Sequence, residues 1–239
     1  MALKNVLQIL PKQKLIIDSS LVLYIDTYNF NSFSSGRTNI TNLNSGLNLT
    51  GNLFGPTLPI FSGTNAGGVI SFTSTTGTQG IRYGVPSSLQ ITVGTASAWV
   101  RPTNTNTGFR GIMAKRDQWG LFIYNNQLVT YDWGNTQIRN TFQTIGNNNW
   151  CNVAMTFTQT TGTPSNNAII YLNGISVLTA TVKNLSYIRN FDICNADFPN
   201  FNPNQGMVGD LSQAMVYNRV LTPSEILQNF NATKSRYGL

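Results

Sequence analysis

The stretch Trp150–Thr181, WCNVAMTFTQTTGTPSNNAIIYLNGISVLTAT, decides the fold class. Its first part, Trp150–Thr158, alternates apolar residues with Asn, Ala and Thr, and this period of two predicts a β-strand with one face in a core. After a polar loop, Ala168–Leu172 and Ile175–Thr181 flank Asn173-Gly174, which is the strongest short signal for a hairpin with a type I′ turn. We therefore predict three consecutive antiparallel strands in the middle of a sheet.

A second hairpin is predicted immediately upstream. Trp119–Tyr124 and Gln127–Trp133 are rich in β-forming residues, and both residues of Asn125-Asn126 tolerate the left-handed backbone conformation of a two-residue turn. Such a turn fixes the register, so that Leu121 faces Thr130, Ile123 faces Leu128 and Trp119 faces Asp132. Asp117, Trp119 and Asp132 are then expected on one face, at the open end of the hairpin.

The rest of the chain continues the β-rich pattern and ends in a helix. In LTPSEILQNF, Thr222 is the predicted N-cap, Pro223 takes the first helical position and Glu225 completes a capping box with Thr222. Residues 27–50 are expected to be a loop. Further strands are predicted at Leu15–Asp26, Thr57–Phe61, Gly68–Thr73, Gly80–Tyr83, Leu89–Val93, Ala96–Arg101 (stopped by Pro102), Gly111–Lys115, Ile138–Phe142, Tyr187–Cys194 and Gly206–Tyr217.

Residues 1–14 are predicted to form an N-terminal arm, and residues 15–239 a single domain. Pro11 would end any regular structure in the arm. Two roles stay open for this segment: it reaches across to a neighbouring subunit, or it covers the edge of its own sheet.

Composition excludes several classes of enzyme and partner. Charged residues make up 10% of the 239 residues, and there are no histidines. A Ser-His-Asp triad, a histidine zinc site and a histidine general base are therefore excluded. The net charge is +7, but the fifteen Lys and Arg residues are scattered. Because no basic run is interleaved with aromatic residues, we expect no nucleic-acid partner.

The cysteines and the apolar runs restrict the protein further. Cys151 and Cys194 show no metal-binding spacing and no CxxC motif. Cys151 lies on the apolar face of its strand, which favours a buried free thiol over a bridge to Cys194. No apolar run is long enough to cross a bilayer, and the N-terminus lacks the pattern of a signal peptide. We expect no bound metal and no membrane segment.

The order of these segments resembles the concanavalin A-like lectin/glucanase superfamily, in particular its laminin-G-like branch. The resemblance implies an all-β fold, a jelly-roll sandwich of two antiparallel sheets with a short C-terminal helix. The final residues, NFNATKSRYGL, also resemble the ends of such domains in structural proteins of tailed phages and other large DNA viruses. The matching segments are LVLYID (21–26), GGVISF (67–72), SAWVRP (97–102), GIMAKR (111–116), NWCNVAMTF (149–157), IIYLNGISV (169–177) and GDLSQAMVYNRVLTPSEI (209–226).

The chain departs from the enzymes of that superfamily. Its glucanases carry a strand with alternating carboxylates, and retaining hydrolysis needs two carboxylates close together. Here the acidic residues are isolated in sequence, and Glu225 is used by the helix cap. We expect no enzymatic activity.

Sugar binding would need an exposed aromatic side chain beside Asp or Asn, often with Ca²⁺ holding the loops. The best candidates are Asp117, Trp119, Asp132 and Trp133 at the open end of the second hairpin. The competing interpretation, which we favour, makes both tryptophans core or interface residues and both aspartates turn formers. A second candidate group is Asp192, Asn195 and Asp197.

Two functional hypotheses follow. In the first, the protein is a non-enzymatic structural protein of a virion, most simply of a bacteriophage. It would sit on the particle surface as capsid decoration, cement, tail or fibre, with other virion subunits such as the major capsid protein as partners, as a homo-oligomer and with glycan adhesion as a second role. In the alternative, it is a free-standing lectin-like carbohydrate-binding module, with Ca²⁺ as a candidate cofactor. Exposure of Trp119 or Trp133 would favour the lectin.

Overall fold

A computed structural model describes residues 13–239, apart from residues 45, 65–66, 105–107, 147, 160–166, 184, 186 and 197–204. These residues form sixteen strands, one α-helix and short 3₁₀ helices at Ser87–Leu89 and Lys234–Tyr237. The bounds are β1 Leu21–Asp26, β2 Asn39–Thr41, β3 Thr50–Phe54, β4 Ile60–Thr64, β5 Gly67–Phe72, β6 Gly80–Arg82, β7 Val93–Asn104, β8 Phe109–Lys115, β9 Trp119–Tyr124, β10 Gln127–Asp132, β11 Gln137–Thr144, β12 Cys151–Thr158, β13 Ala168–Leu172, β14 Ile175–Ala180, β15 Phe191–Ile193, β16 Val208–Tyr217 and α1 Pro223–Thr233.

The strands form two antiparallel sheets, and the predicted all-β jelly-roll sandwich is confirmed. Sheet A has the order β14-β13-β12-β7-β16-β5-β4, and β1 pairs with β16 beside β5. Sheet B has the order β11-β10-β9-β8-β15-β6-β3-β2. The inward side chains of both sheets make the main core, to which β12 contributes Val153, Met155 and Phe157.

Both predicted hairpins are confirmed, and their turns have the expected backbone. The φ angles are +50° at Asn173 and +79° at Gly174, and +48° and +65° at Asn125 and Asn126. Leu121 pairs with Thr130 as predicted. The expected position of the first hairpin is wrong, however, because β14 is the edge strand of sheet A and the central strands are β7 and β16.

Helix α1 packs across the outer face of sheet A. The capping box between Thr222 and Glu225 forms as predicted. Trp99 on β7 is fully buried beneath the end of the chain, stacked on Tyr237 at 3.9 Å and on Phe230 at 5.6 Å between ring centroids. Its indole N–H donates to Thr233 Oγ1 at 2.9 Å. The central strands of sheet A are therefore covered on both faces.

This cover corrects the prediction that β12 is buried on one face only. Asn152, Ala154 and Thr156, on the outer face of sheet A, are at most 5% exposed. The Asn152 side chain is satisfied by local hydrogen bonds, since its Nδ2 donates to Ser97 Oγ and to Ala98 O, both at 3.4 Å. The polar residues of the alternating pattern thus lie beneath a second layer of structure instead of facing solvent.

Three boundary predictions are also wrong. β7 passes through Pro102, whose missing N–H is tolerated because the pairing with β16 shifts register beside Gly209. Gly209 has φ +135°, and a Cβ there would lie 2.3 Å from Arg101 O. Residues 27–50 contain β2 and the start of β3, and the strand predicted at Leu89–Val93 is replaced by the 3₁₀ helix at Ser87–Leu89 and the start of β7.

Residues 1–12 of the predicted arm lie outside the described residues, so the division at residue 14 stays a prediction. Lys14 O accepts a hydrogen bond from Gln228 Nε2 at 2.8 Å. Cys151 and Cys194 are buried and unbridged, and burial raises the pKa of the Cys151 thiol to about 12. No helix in the described part of the chain could span a bilayer.

Candidate functional site

The outer face of sheet B carries a group of five aromatic side chains that no helix of the described residues covers. We call it the aromatic face. The ring of Phe109 on β8 lies 4.7 Å from that of Tyr124 and 5.5 Å from that of Tyr131. Trp133 lies 5.9 Å from Phe122 and 5.5 Å from Tyr131, in edge-to-face geometry. Such geometry stabilises aromatic pairs beyond the area that they bury.

The second hairpin places these rings. Leu121 and Ile123 point into the core, so that Phe122 and Tyr124 must point outward. Gly120 gives the Phe122 ring its space, since a Cβ at Gly120 would lie 2.7 Å from that ring. The rings therefore have fixed places on the sheet.

A cavity of about 310 Å³ opens among these rings. Phe109, Phe122, Tyr131 and Trp133 supply its apolar lining. Arg116, Gln205 and Thr136 add polar groups, and Leu185 adds a further apolar side chain. Arg116 Nη1 donates to Gln205 Oε1 at 3.0 Å. Apolar walls with a few fixed polar groups are typical of small-ligand sites.

Of the four predicted site residues, the structure brings only Trp133 to this cavity. Trp119 lies on the opposite face of sheet B, where it is fully buried and stacks on Phe157 at 4.7 Å. The physical reason is alternation, because Trp119 shares its face with Leu121 and Ile123. Trp133 follows the last residue of β10 and packs with Phe122 instead, at 8% exposure. Neither tryptophan is exposed, which agrees with the core interpretation of both residues.

Asp132 holds the turn after Trp133. Its carboxylate accepts hydrogen bonds from Asn135 Nδ2 at 2.8 Å, Arg139 Nη2 at 2.8 Å and Lys183 N at 3.0 Å. Burial opposes its charged form, but these hydrogen bonds outweigh that effect and lower the pKa of the carboxyl. Asp132 is fully buried, so it positions the backbone beside Trp133.

Asp117, like Asp132, has a structural role: it lies in the turn between β8 and β9. Its φ is +65°, a conformation that Asp tolerates in turns. Its carboxylate pairs with Arg189 at 2.6 Å and lies 3.8 Å from Arg116 Nε. Asp117 thus lies next to a cavity residue and is 5% exposed itself.

All seven Asp and Glu side chains in the described part of the chain form ion pairs with arginine. The second candidate group follows this pattern, since Asp192 pairs with Arg82 at 2.7 Å. Asn195 donates to Gln79 O at 2.9 Å, and Asp197 lies outside the described residues. The full set is Asp18 and Glu225 with Arg219, Asp26 with Arg236, Asp117 with Arg189, Asp132 with Arg139, Asp192 with Arg82, and Asp210 with Arg101.

These ion pairs leave few of the described carboxylates free to bind a metal ion. No group of three or more Cys, Asp or Glu side chains that could hold one occurs among the described residues. Each described Asp and Glu already pairs with an arginine, and Ca²⁺ sites usually gather several carboxylates.

The sequence prediction missed Phe109, Phe122, Tyr124 and Tyr131. A signal for three of them was present, since Phe122 and Tyr124 occur at a spacing of two in β9, and Tyr131 and Trp133 do so across the end of β10. Two neighbouring strands with aromatic residues at alternate positions indicate an aromatic row on one face.

A family model described as the concanavalin A-like lectin/glucanases superfamily, of the laminin-G type, matches residues 74–227. The chain belongs to this superfamily. Solved structures of the same fold include domain 4 of AbnA, a GH43 extracellular arabinanase from Geobacillus stearothermophilus, in complex with arabinotriose. The TM-score is 0.62 at 16% identity, covering 88% of this chain and 98% of that domain.

Two further structures of similar fold belong to longer chains. The binding domain of Paraclostridial Mosquitocidal Protein 1 matches with a TM-score of 0.62 at 18% identity, covering 89% of this chain and 52% of that one. Trypanosoma rangeli sialidase in complex with sialic acid matches with a TM-score of 0.65 at 13% identity, covering 91% of this chain and 34% of the sialidase. These likenesses show the fold. The search of curated protein sequences gave no match.

Proposed function

We propose that this superfamily member is a non-enzymatic carbohydrate-binding protein whose sugar site is the aromatic face of sheet B. The observation that carries the proposal is the cavity of about 310 Å³ lined by Phe109, Phe122, Tyr131 and Trp133. The C–H faces of a sugar ring stack on aromatic rings, and its hydroxyls need donors and acceptors at the rim. Arg116, Gln205 and Thr136 supply such groups.

The similar structures support an oligosaccharide as ligand. Domain 4 of the arabinanase was solved with arabinotriose, and this chain covers almost the whole of that domain. A short neutral oligosaccharide also suits a site whose walls are apolar and beside which two described carboxylates, Asp117 and Asp132, are already paired with arginines.

The proposal of no catalysis is supported by the carboxylates. Glycoside hydrolysis requires two carboxyl groups on either side of the scissile bond. Each described carboxylate instead holds an arginine, and those nearest to the cavity are at most 5% exposed. Incubation with labelled oligosaccharides, analysed for cleaved products, should leave the ligands intact.

The test compares two tyrosines on opposite sides of the sandwich. Tyr131→Ala removes a half-buried ring of the aromatic face, while Tyr28→Ala removes a ring that is 38% exposed beside Tyr237. Binding is screened on a glycan array with Ca²⁺ and with EDTA, and hits are titrated by calorimetry. We expect Tyr131→Ala to weaken binding at least about tenfold, because ring stacking is lost.

Tyr28→Ala should bind like the wild-type protein. Equal affinity of the wild-type protein and Tyr131→Ala would reject the aromatic face as the site. Thermal unfolding of each variant separates a lost contact from a lost fold.

We also propose that the protein is displayed on the surface of a virus particle, as a homo-oligomer that contacts the major capsid protein or another virion subunit. The observation that favours this is the resemblance of NFNATKSRYGL to the ends of laminin-G-like domains in phage structural proteins. Proteomics of density-gradient particles from the native source should find it at a fixed copy number relative to the major capsid protein. Finding it only free of particles would contradict this role.

A further inference from the structure

The rim of the cavity on the aromatic face continues into an exposed segment between β14 and β15. Leu185 lines the cavity and is 42% exposed, so it lies at the rim. Tyr187 follows two residues later and is 53% exposed. Because two residues of chain span at most about 7 Å, Tyr187 lies close to the rim. A further aromatic side chain therefore stands beside the cavity, outside its lining.

Hydrogen bonds to the turn between β8 and β9 hold this segment. Leu185 N donates to Asp117 O at 2.8 Å, and Tyr187 O accepts from Gln118 Nε2 at 2.6 Å. The same turn begins with Arg116, which lines the cavity. The backbone of Leu185 and Tyr187 is thus fixed relative to a residue of the proposed sugar site.

An arginine fixes the ring of Tyr187. Arg189 Cζ lies over one face of this ring, 5.0 Å from its centroid, in a cation–π contact. Arg189 Nε pairs with Asp117 Oδ2 at 2.6 Å, and Asp117 Oδ1 lies 3.8 Å from Arg116 Nε. Among the described residues, no other ring or cation packs on Tyr187. The exposed area of the tyrosine is therefore available to a ligand.

The residues around Tyr187 add apolar surface. Ile188, the next residue, is 76% exposed, and Leu185 contributes its own exposed part. A single exposed apolar side chain is ordinary on a protein surface and needs no explanation. Several of them beside a cavity indicate a binding surface.

We propose that the Tyr187 ring is a second stacking platform of the sugar site, and that the ligand is a linear neutral oligosaccharide. This inference rests on the proposed sugar-binding function. The cavity of about 310 Å³ is at the lower end of the volumes of small-ligand sites, so a longer oligosaccharide extends past its rim. One end of the chain fills the cavity, and the chain crosses Leu185 to stack a further sugar ring on Tyr187. Arg189 acts as a positioning residue.

The test measures affinity against the length of the ligand. Arabino-, xylo- and cello-oligosaccharides, from disaccharides to hexasaccharides, are titrated by calorimetry into the wild-type protein and its variants. For a series that binds, the affinity should rise at least about fivefold between the disaccharide and the hexasaccharide, because the longer chain gains a stacked contact. Tyr187→Ala should abolish this rise, and Tyr187→Phe, which keeps the ring, should retain it.

Ile188→Ala is the matched control, because it removes an exposed apolar side chain that has no ring. It should retain the rise in affinity with ligand length. An undiminished rise in Tyr187→Ala would overturn the proposal. An equal loss of the rise in Ile188→Ala would also overturn it, because the contact would then not be ring stacking. Thermal unfolding shows whether each variant is folded.

Tyr131→Ala distinguishes the failure of this inference from the failure of the proposed function. If Tyr131→Ala binds every ligand like the wild-type protein, the aromatic face is not the sugar site and the inference falls with it. If Tyr131→Ala weakens short and long ligands while Tyr187→Ala changes neither, the sugar site stands and only the second platform is wrong. If none of the three series binds the wild-type protein, the linear neutral ligand is wrong, and the glycan array alone decides on the proposed function.

Discussion

The outer faces of the two sheets carry similar residues and differ in what covers them. On sheet A, Trp99, Tyr171 and Tyr217 lie beneath α1 and the described segments that flank the domain and are at most 2% exposed. On sheet B, Phe109 and Tyr131 remain half-buried around an open cavity. The same chemistry therefore serves packing on one side and presents a binding surface on the other.

The difference shows that an aromatic cluster acquires its role from the layer above it. A contiguous apolar surface on a folded protein is costly unless something binds it. Sheet A meets this requirement within the chain, since Ile226 and Phe230 of α1 seal it. Sheet B has no such cover among the described residues, and this is why the sugar site is proposed there.

The largest effect is expected from Trp99→Ala. This change removes the ring that stacks on Tyr237 and the N–H that bonds Thr233, and should lower the free energy of unfolding by about 3–5 kcal/mol. Urea denaturation measures it. Tyr131→Ala, on the uncovered face, should lower the free energy of unfolding by less than about half of that amount. Equal losses at the two positions would contradict the contrast between the faces.

Gly120→Ala tests whether the position of the Phe122 ring matters for the aromatic face. The added Cβ would lie 2.7 Å from the Phe122 ring and 3.1 Å from Ala114 Cβ, so the ring must move toward Trp133. We expect a loss of about 2 kcal/mol from overpacking, together with weaker sugar binding. Gly46→Ala is the matched control, because only Asn44 Oδ1, at 3.5 Å, lies near its added Cβ. A change of stability without a change of sugar affinity would show that Phe122 is not part of the sugar site.

Local sequence signals predicted what local interactions determine. Asn173-Gly174 and the Thr222–Glu225 capping box act over a few residues, and both formed as expected. The cover on sheet A was missed because it comes from the last residues of the chain, far from the strands that it buries. Ion pairs such as Arg82 with Asp192 join residues 110 positions apart, so no spacing in the sequence indicates them.

The candidate site was predicted in part for the same reason. Trp133 was identified, but Trp119 was grouped with it at the open end of the hairpin, although the two tryptophans lie on opposite faces of sheet B. The strand ends at Asp132, and Trp133 leaves the pairing of the hairpin there. Whether a strand continues for one more residue depends on tertiary contacts such as that of Asp132 with Lys183.

Asp132→Asn should have a moderate, pH-dependent effect beside the aromatic face. The change keeps the size of the side chain but removes the charge that pairs with Arg139, and should cost about 1–2 kcal/mol at neutral pH. Because the folded-state pKa of Asp132 is lowered, its contribution is fully present above the unfolded value of about 4 and is lost as pH falls through the folded value. The stability difference between wild type and variant, measured by urea denaturation from pH 7 to pH 2, should therefore shrink at acid pH. A constant difference would mean that the charge of Asp132 is unimportant.

The smallest effect is expected at the start of the cover helix. Thr222→Ala removes the side-chain oxygen that accepts from Glu225 N, and should lower the free energy of unfolding by about 1 kcal/mol. Ser224→Ala changes an exposed residue two positions further along the chain and should leave the free energy of unfolding nearly unchanged. Sugar affinity should be unchanged in both variants, because α1 packs on sheet A and the proposed site lies on sheet B. Weaker sugar binding in Thr222→Ala alone would connect the covered face to the open one, and would show that the two faces do not act independently.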